Sequence, residues 1–356
     1  MKAAVLHQLA APLRIAGDVI CPELQRGQVL VKLAYSGVCQ SQLMEVRGKR
    51  GADPYLPHLL GHEGTGRVVQ IGDGVTKVTA GDAVILGWIK GAGLEGGPVR
   101  YSCGPDVVNA GAVTTFNEYA VVSENRITKL PAGVPMDVGV LFGCAIPTGA
   151  GIIMNQVRPA AGSTIAIFGL GGIGLSALMA TQLFGCSTVI AVDVSEQKLS
   201  LARDFGATHT INAQERNPVD EIRKLTAGNG VDNSVDASGL VSGIETAFEA
   251  VRRGGGVCTF ASHPAKDERI RLDPYELICG KQIRGSWGGG SNPDIDIPRL
   301  AGLYLEGHLP LEKLITQRYP LDNINTALDD LEARRVGRPL IEMDVTLDSM
   351  YRKARL

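Results

Sequence analysis

Aromatic residues make up only 5% of this 356-residue chain, and charge of neither sign prevails, the formal net charge being -2. A near-neutral chain lacks the basic surface that nucleic acids and other polyanions require, so no nucleic-acid partner is expected. Long apolar runs are missing as well. No window approaches the roughly 18 apolar residues of a membrane span, so no membrane partner is expected. The opening stretch "MKAAVLHQLAAPLRIAG" is interrupted by His7, Gln8 and Arg14, and reads as a strand and a turn rather than a secretory leader. Cysteine occurs seven times, an odd number, widely scattered. That usage excludes a disulfide framework and fits a reducing cytoplasm. Repeats and low-complexity tracts are absent.

Glycine, by contrast, is abundant at 45 residues. The length suits about two domains, each able to bury its own core, and the glycines suit the tight strand-to-helix turns of an α/β protein. Up to about residue 145 the chain carries short β-like runs: "QVLVKLAYSGV", "GTGRVVQIG", "DAVILGW" and "NEYAVVSE". Turns of Gly, Pro and Asp separate them, which predicts a compact, mostly antiparallel unit. From 164 to about 287 the pattern alternates. "TIAIFG" reads as a buried strand, "GIGLSALMATQLFG" as a helix ending at Gly185, and "TVIAVDV" as a strand. A helix with Ser195 as its N-cap follows, then the strands "VDNSVDASG" and "GGVCTFAS". Alternation of this kind predicts a doubly wound parallel sheet with right-handed crossovers. Beyond 288 the regularity falls off. "INTALDDLEARR" predicts a helix, and the terminal "RKARL" a solvated tail.

Gly169, Gly171 and Gly174, with Gly172 and Ile173 between them, have G-x-G-x-x-G spacing between a strand and a helix. The first glycine makes a tight turn, the second admits a pyrophosphate, and the third packs the helix onto the sheet. Asp193 closes the next strand about 20 residues on, where a carboxylate takes ribose hydroxyls and repels a 2′-phosphate. Lys198 is placed to reach the same ribose. The cofactor predicted is NAD. Outside this unit stand Cys39, His62, Glu63 and Cys144, whose thiolate, imidazole and carboxylate groups are zinc ligands. Spacing alone does not join them. A single buried cysteine is ordinarily structural, and a His-Glu pair is ordinarily a polar turn.

The pattern as a whole resembles the medium-chain, zinc-containing alcohol dehydrogenase family over nearly the entire chain. The resemblance rests on "SGVCQSQ", "GHEGTGRVVQIGDGVTKVTAGDAVI", "FGCAIPTGAG", "GLGGIG", "VIAVDVSEQKLSLARDFGATHTIN" and "GKQIRGSWGG". It implies a Rossmann NAD-binding domain over 146–287, and a GroES-like catalytic domain over 1–145 and 288–356. It also implies one catalytic zinc on Cys39, His62 and Cys144, with Glu63 near the metal and able to replace its water. Ser41 is implied to accept the substrate's proton, and Thr148 to pack behind the nicotinamide. A site in the cleft between domains is expected, as is a homodimer or homotetramer formed through an edge strand of the nucleotide sheet.

The chain departs from the family at several points. The stretch 87–113, where many members hold a structural zinc with four cysteines, contains only Cys103, so no structural zinc is expected. Gln40 stands where an arginine often supports the pyrophosphate. Gln42 replaces a carboxylate that orients the ligand imidazole. Met44 replaces a histidine at the end of a proton relay, so the proton is expected to leave by water through the cofactor ribose. Trp88 matches a pocket aromatic of the family, but Trp88 and Met44 stand equally as core. The predicted function is NAD-linked, zinc-dependent interconversion of an alcohol and its carbonyl, with a secondary alcohol, polyol or sugar derivative favoured. A catalytically idle NAD-binding protein and a zinc-free ketone or quinone reductase are the competing readings.

Overall fold

A computed structural model describes residues 1–353. The chain divides into two units, Met1–Cys144 together with the chain from Asn292 onward, and Ala145–Ser291.

Two sheets build the first unit. The seven-stranded one is centred on Gln28–Gly37, which pairs with Gly64–Ile71, Tyr119–Ser123 and Arg338–Glu342. Val29, Val31 and Leu33 alternate along that strand and are fully buried. They pack with Val68, Val84, Leu86, Ala120 and Val122 into one apolar cluster. A period of two with one face buried is the sequence pattern of such a strand. The pairing is antiparallel throughout the sheet except between Ile315–Pro320 and Arg338–Glu342.

The six-stranded sheet holds the 87–113 region. There Val99–Cys103 and Asp106–Ala110 form a hairpin that pairs onward with Val19–Ile20 and His58–Leu59. Carboxylates pin the chain that leads into it. Glu124 accepts hydrogen bonds from the backbone N–H groups of Thr76, Lys77 and Leu94, and Asp294 accepts from that of Ala92.

Cys39 is the N-cap of the short helix Gln40–Val46. Its N–H donates to Gln42 Oε1 at 3.2 Å. Leu43 and Val46 anchor the helix in a cluster shared with Ile324, Ala327 and Leu328 of the helix Ile324–Glu332. Arg47 ties the two helices on the outside, bonding Asp329 at 2.5 Å and Glu332 at 2.7 Å. Burying two such aliphatic side chains stabilises by about 1.5–3 kcal/mol each, enough to hold a helix too short to persist alone.

The second unit contains six parallel strands in the order His209–Asn212, Thr188–Asp193, Thr164–Phe168, Asn233–Asp236, Val257–Phe260, Gln282–Gly285. This is the doubly wound sheet predicted. The first crossover helix, Gly172–Thr181, stops short of Gly185. The N–H groups of Gln182, Leu183 and Phe184 reach carbonyls only three residues back, and Gly185 closes the turn at φ 64°. Ser195 occupies the N-cap of Glu196–Asp204, but its side chain makes no capping bond. Instead Asp193 Oδ1 accepts from the N–H groups of Val194 and Ser195.

The terminal "RKARL" begins inside a helix, with Arg352 exposed. Arg352 and Lys353 belong to the helix Thr346–Lys353, where Arg352 bonds Asp348 one turn back at 2.8 Å. Such an i,i+4 ion pair supports the last helical turn. The last three residues of "RKARL", 354–356, lie outside the described residues.

Candidate metal centre

Ligand atoms of Cys39, His62, Glu63 and Cys144 all lie within 4.8 Å of one another. Separate stretches of sequence bring them there. Cys39 follows the central strand and caps a helix, while Cys144 ends the turn Val140–Gly143. His62 and Glu63 sit just before the strand Gly64–Ile71. Gly61 turns the chain into them at φ 90°, where a Cβ would come within 2.3 Å of Thr115 Oγ1. Only glycine fits that turn.

The two thiols share a hydrogen bond. Cys144 donates to Cys39, and that bond, helped by His62, holds Cys39 well below the ordinary thiol range despite burial. The same bond, together with burial, pushes Cys144 up. Nε2 of His62 is buried without a hydrogen-bond partner. An orphaned imidazole nitrogen beside two convergent sulfurs is costly unless a cation takes its lone pair. The donor set therefore fits zinc.

Gln42, 3% exposed, packs beneath the imidazole with its amide nitrogen against Nδ1. Ser41 Oγ lies 3.4 Å from the same nitrogen. When Nε2 binds a cation, Nδ1 carries the ring proton and needs an acceptor. A carboxylate at position 42 would accept from both Cys39 N–H and Nδ1–H. An amide offers one oxygen for those two donors, so this imidazole is held less firmly than a carboxylate would hold it.

Glu63 is completely buried, and both of its oxygens lie 2.5 Å from Arg338 Nη2. Burial raises the Glu63 carboxyl above its ordinary pKa against the pull of Arg338. Burial also works against the Arg338 charge, but Glu63 and the two thiol groups outweigh it and raise the arginine. Gly37 and Gly143 leave room for this pair, since a Cβ on either would lie under 3 Å from Glu63 atoms. Arg338 is absent from the sequence-based site. Its one signal is indirect: a buried glutamate requires a cation, and the nearby Arg67 bonds the Gly81 carbonyl instead.

Trp88, half-buried, tilts toward His62 with ring centroids 6.5 Å apart, so it stands beside the donor set and not in the core. Met44 is half-buried on the helix that Cys39 caps.

In the other unit the three glycines differ in kind. Gly169, at φ 82°, would bring a Cβ within 2.6 Å of Ser238, and Gly174 within 1.9 Å of Gly169 O. Gly171 faces open space. It begins the helix Gly172–Thr181, whose first residues include Ile173, and no side chain caps that end. An open approach to uncapped N–H groups is what a pyrophosphate needs. Asp193 Oδ2 accepts from Leu170 N–H at 2.7 Å, tying the acidic strand end to this loop. Lys198 lies half-buried on Glu196–Asp204, and Thr148 is buried on Ala145–Gly151. The loop fits a dinucleotide.

A thiol–imidazole donor set that fits zinc, in a chain with a dinucleotide-type sheet, points to the class of metal-dependent dehydrogenases. Comparison with known proteins agrees. Residues 25–132 match the alcohol dehydrogenase GroES-like domain, and residues 172–303 the zinc-binding dehydrogenase family. Alcohol dehydrogenase 2 of Zea mays is 32% identical over 355 residues, covering 92% of this chain and 93% of that protein. Among solved structures, benzyl alcohol dehydrogenase of Acinetobacter calcoaceticus is 29% identical with a TM-score of 0.85, covering 96% of this chain and 99% of that one. A zinc-binding-domain alcohol dehydrogenase protein of Burkholderia ambifaria is 31% identical with a TM-score of 0.86, covering 96% and 98%. The chain belongs to the zinc-containing alcohol dehydrogenase family and is an oxidoreductase acting on CH–OH groups.

Proposed function

We propose that this zinc-dependent alcohol dehydrogenase holds one catalytic zinc on Cys39, His62 and Cys144, and NAD on the Gly169–Gly174 loop, Asp193, Lys198 and Thr148. The observation that carries the reading is the orphaned Nε2 of His62 beside the convergent sulfurs of Cys39 and Cys144. When bound, zinc polarises an alcohol or carbonyl oxygen and NAD accepts or returns a hydride. The chain's own residues do the rest. Ser41 Oγ accepts the proton of the substrate hydroxyl and passes it on. With methionine at position 44, the proton leaves by water along the cofactor ribose. Glu63 offers a carboxylate close to the donor set during ligand exchange, and Arg338 neutralises it when it is disengaged.

Trp88 supplies an apolar wall beside the donor set. That favours an alcohol with an apolar body, secondary alcohols first, ahead of polyols and sugar derivatives. A second copy of the chain is the expected partner, and a reducing cytoplasm is the expected compartment, consistent with seven cysteines outside any disulfide.

Metal content and NAD reduction with a panel of secondary, benzylic and polyhydroxy alcohols test the reading, on the protein and on Cys39→Ser. After a mild chelating wash, one zinc per chain is expected. The variant should lose zinc and fall roughly a thousandfold in kcat/KM, the scale of a lost Lewis acid. A zinc-free protein that still turns over alcohols would sink the proposal.

A further inference from the structure

A second cluster of ligand-type side chains lies outside this centre. Glu45 comes from the helix Gln40–Val46, Asp53 from the loop after it, and His58 from the strand His58–Leu59. Their ligand atoms also lie within 4.8 Å of one another. His58 is 7% exposed. Its Nδ1 donates to the Leu59 carbonyl at 2.9 Å, which fixes the ring and turns Nε2 toward the two carboxylates. Asp53 Oδ2 lies 2.8 Å from Nε2, and Glu45 Oε1 lies 3.9 Å from it. Arg50 approaches the other Glu45 oxygen, Oε2, at 3.7 Å.

We propose that Glu45, Asp53 and His58 form a binding site for a divalent first-row transition-metal ion, separate from the thiolate centre. With Nδ1–H spent on a carbonyl, a neutral ring sets a lone pair against a carboxylate oxygen, so a proton or a cation must lie between them. A proton satisfies only the Asp53 contact, because Glu45 stays beyond hydrogen-bond range. An ion with ligand distances near about 2.1 Å holds groups up to about 4.2 Å apart, which takes in both the 2.8 Å and the 3.9 Å separations. A histidine with its far nitrogen on a backbone carbonyl is the usual arrangement of a metal-bound imidazole. One imidazole and two carboxylates suit manganese, cobalt or zinc, not the all-oxygen shells of calcium and magnesium. The Glu45 and Asp53 side chains are 26% and 13% exposed, so coordination positions remain open to water and the ion exchanges. Loading joins the far end of the helix that bears Ser41 and Gln42 to the loop 48–57.

The test is a titration with Mn(II) of the full-length protein carrying only the one zinc per chain that survives a mild chelating wash, following loss of the free-ion paramagnetic resonance signal. Manganese is the probe because it ranks below zinc at thiolates and leaves that centre filled. One Mn(II) per chain is expected. Because loss of an outer partner alone weakens a metal site about tenfold or more, loss of a ligand in His58→Gln or Asp53→Asn should weaken binding at least that much. Cys39→Ser should bind as the parent does. Thermal unfolding verifies that each variant is folded, and Asp53→Asn, in a loop, stands in if His58→Gln is not. No saturable binding overturns the proposal, and so does binding that survives both substitutions or that disappears in Cys39→Ser.

Discussion

Arg338 and Glu63 are 275 residues apart in sequence, yet they form a buried charge pair at the donor set. Glu63 has no exposure and its partner very little, so neither charge is shared with water. Removing one member of a buried pair leaves an uncompensated charge, at a cost of about 3–5 kcal/mol. Arg338→Met, studied as metal-free protein, is expected to lose that much unfolding free energy with an unchanged denaturant slope. The double variant Arg338→Met/Glu63→Gln should recover a good part of it. Equal losses in single and double variants would mean that the pair's shape, not its charge, is what matters. His62 and the two cysteines were legible as ligand-type residues, but only the resemblance of the whole pattern to a family joined them into one site. Arg338 was not, since an arginine in "RRVGRPLIE" looks like any surface cation until the sheet buries it.

The glycine loop behaves as an element, and its members divide by what surrounds them. Gly169 and Gly174 are packed against backbone, while a Cβ on Gly171 would have nothing within 4 Å. Gly171→Ala is therefore expected to keep thermal stability to within about 1 kcal/mol, the N-cap difference between the two residues. Its NAD affinity should fall about tenfold or more, a difference of about 1.4 kcal/mol or greater. Gly169→Ala should lose both stability and binding, because it adds a left-handed backbone to a steric overlap. Calorimetric titration with NAD beside thermal unfolding separates the two. An unaltered NAD affinity in Gly171→Ala would remove the pyrophosphate from this loop. Strand–turn–helix order and spacing made the loop readable. The helix end was not, since the shift to bonds three residues back at Gln182 depends on how the turn to the next strand closes.

For the whole molecule, the parallel sheet ends on Gln282–Gly285, an edge left unpaired among the described residues. Next to it in sequence the short helix Pro274–Ile278 exposes Tyr275, Leu277 and Ile278, the last at 80%. An open edge flanked by apolar side chains is a template for strand pairing unless another chain covers it. A second copy is the proposed cover. Ile278→Lys should lower the mass found by light scattering toward that of one chain while zinc content stays constant. A parent protein that is already monomeric would refute this assignment.

Sequence by itself determined the parallel sheet and the glycine loop with Asp193, because each depends on local periodicity or turn chemistry, and resemblance to a family singled out Cys39, His62 and Cys144. Tertiary structure decided the rest. It set Trp88 beside His62, gave Glu63 its arginine, placed Gln42 against both Cys39 and His62, and gathered Glu45, Asp53 and His58. Those relations join residues from different strands and loops. Sequence periodicity says which face a side chain takes, but only the packing of the sheets says what it meets there.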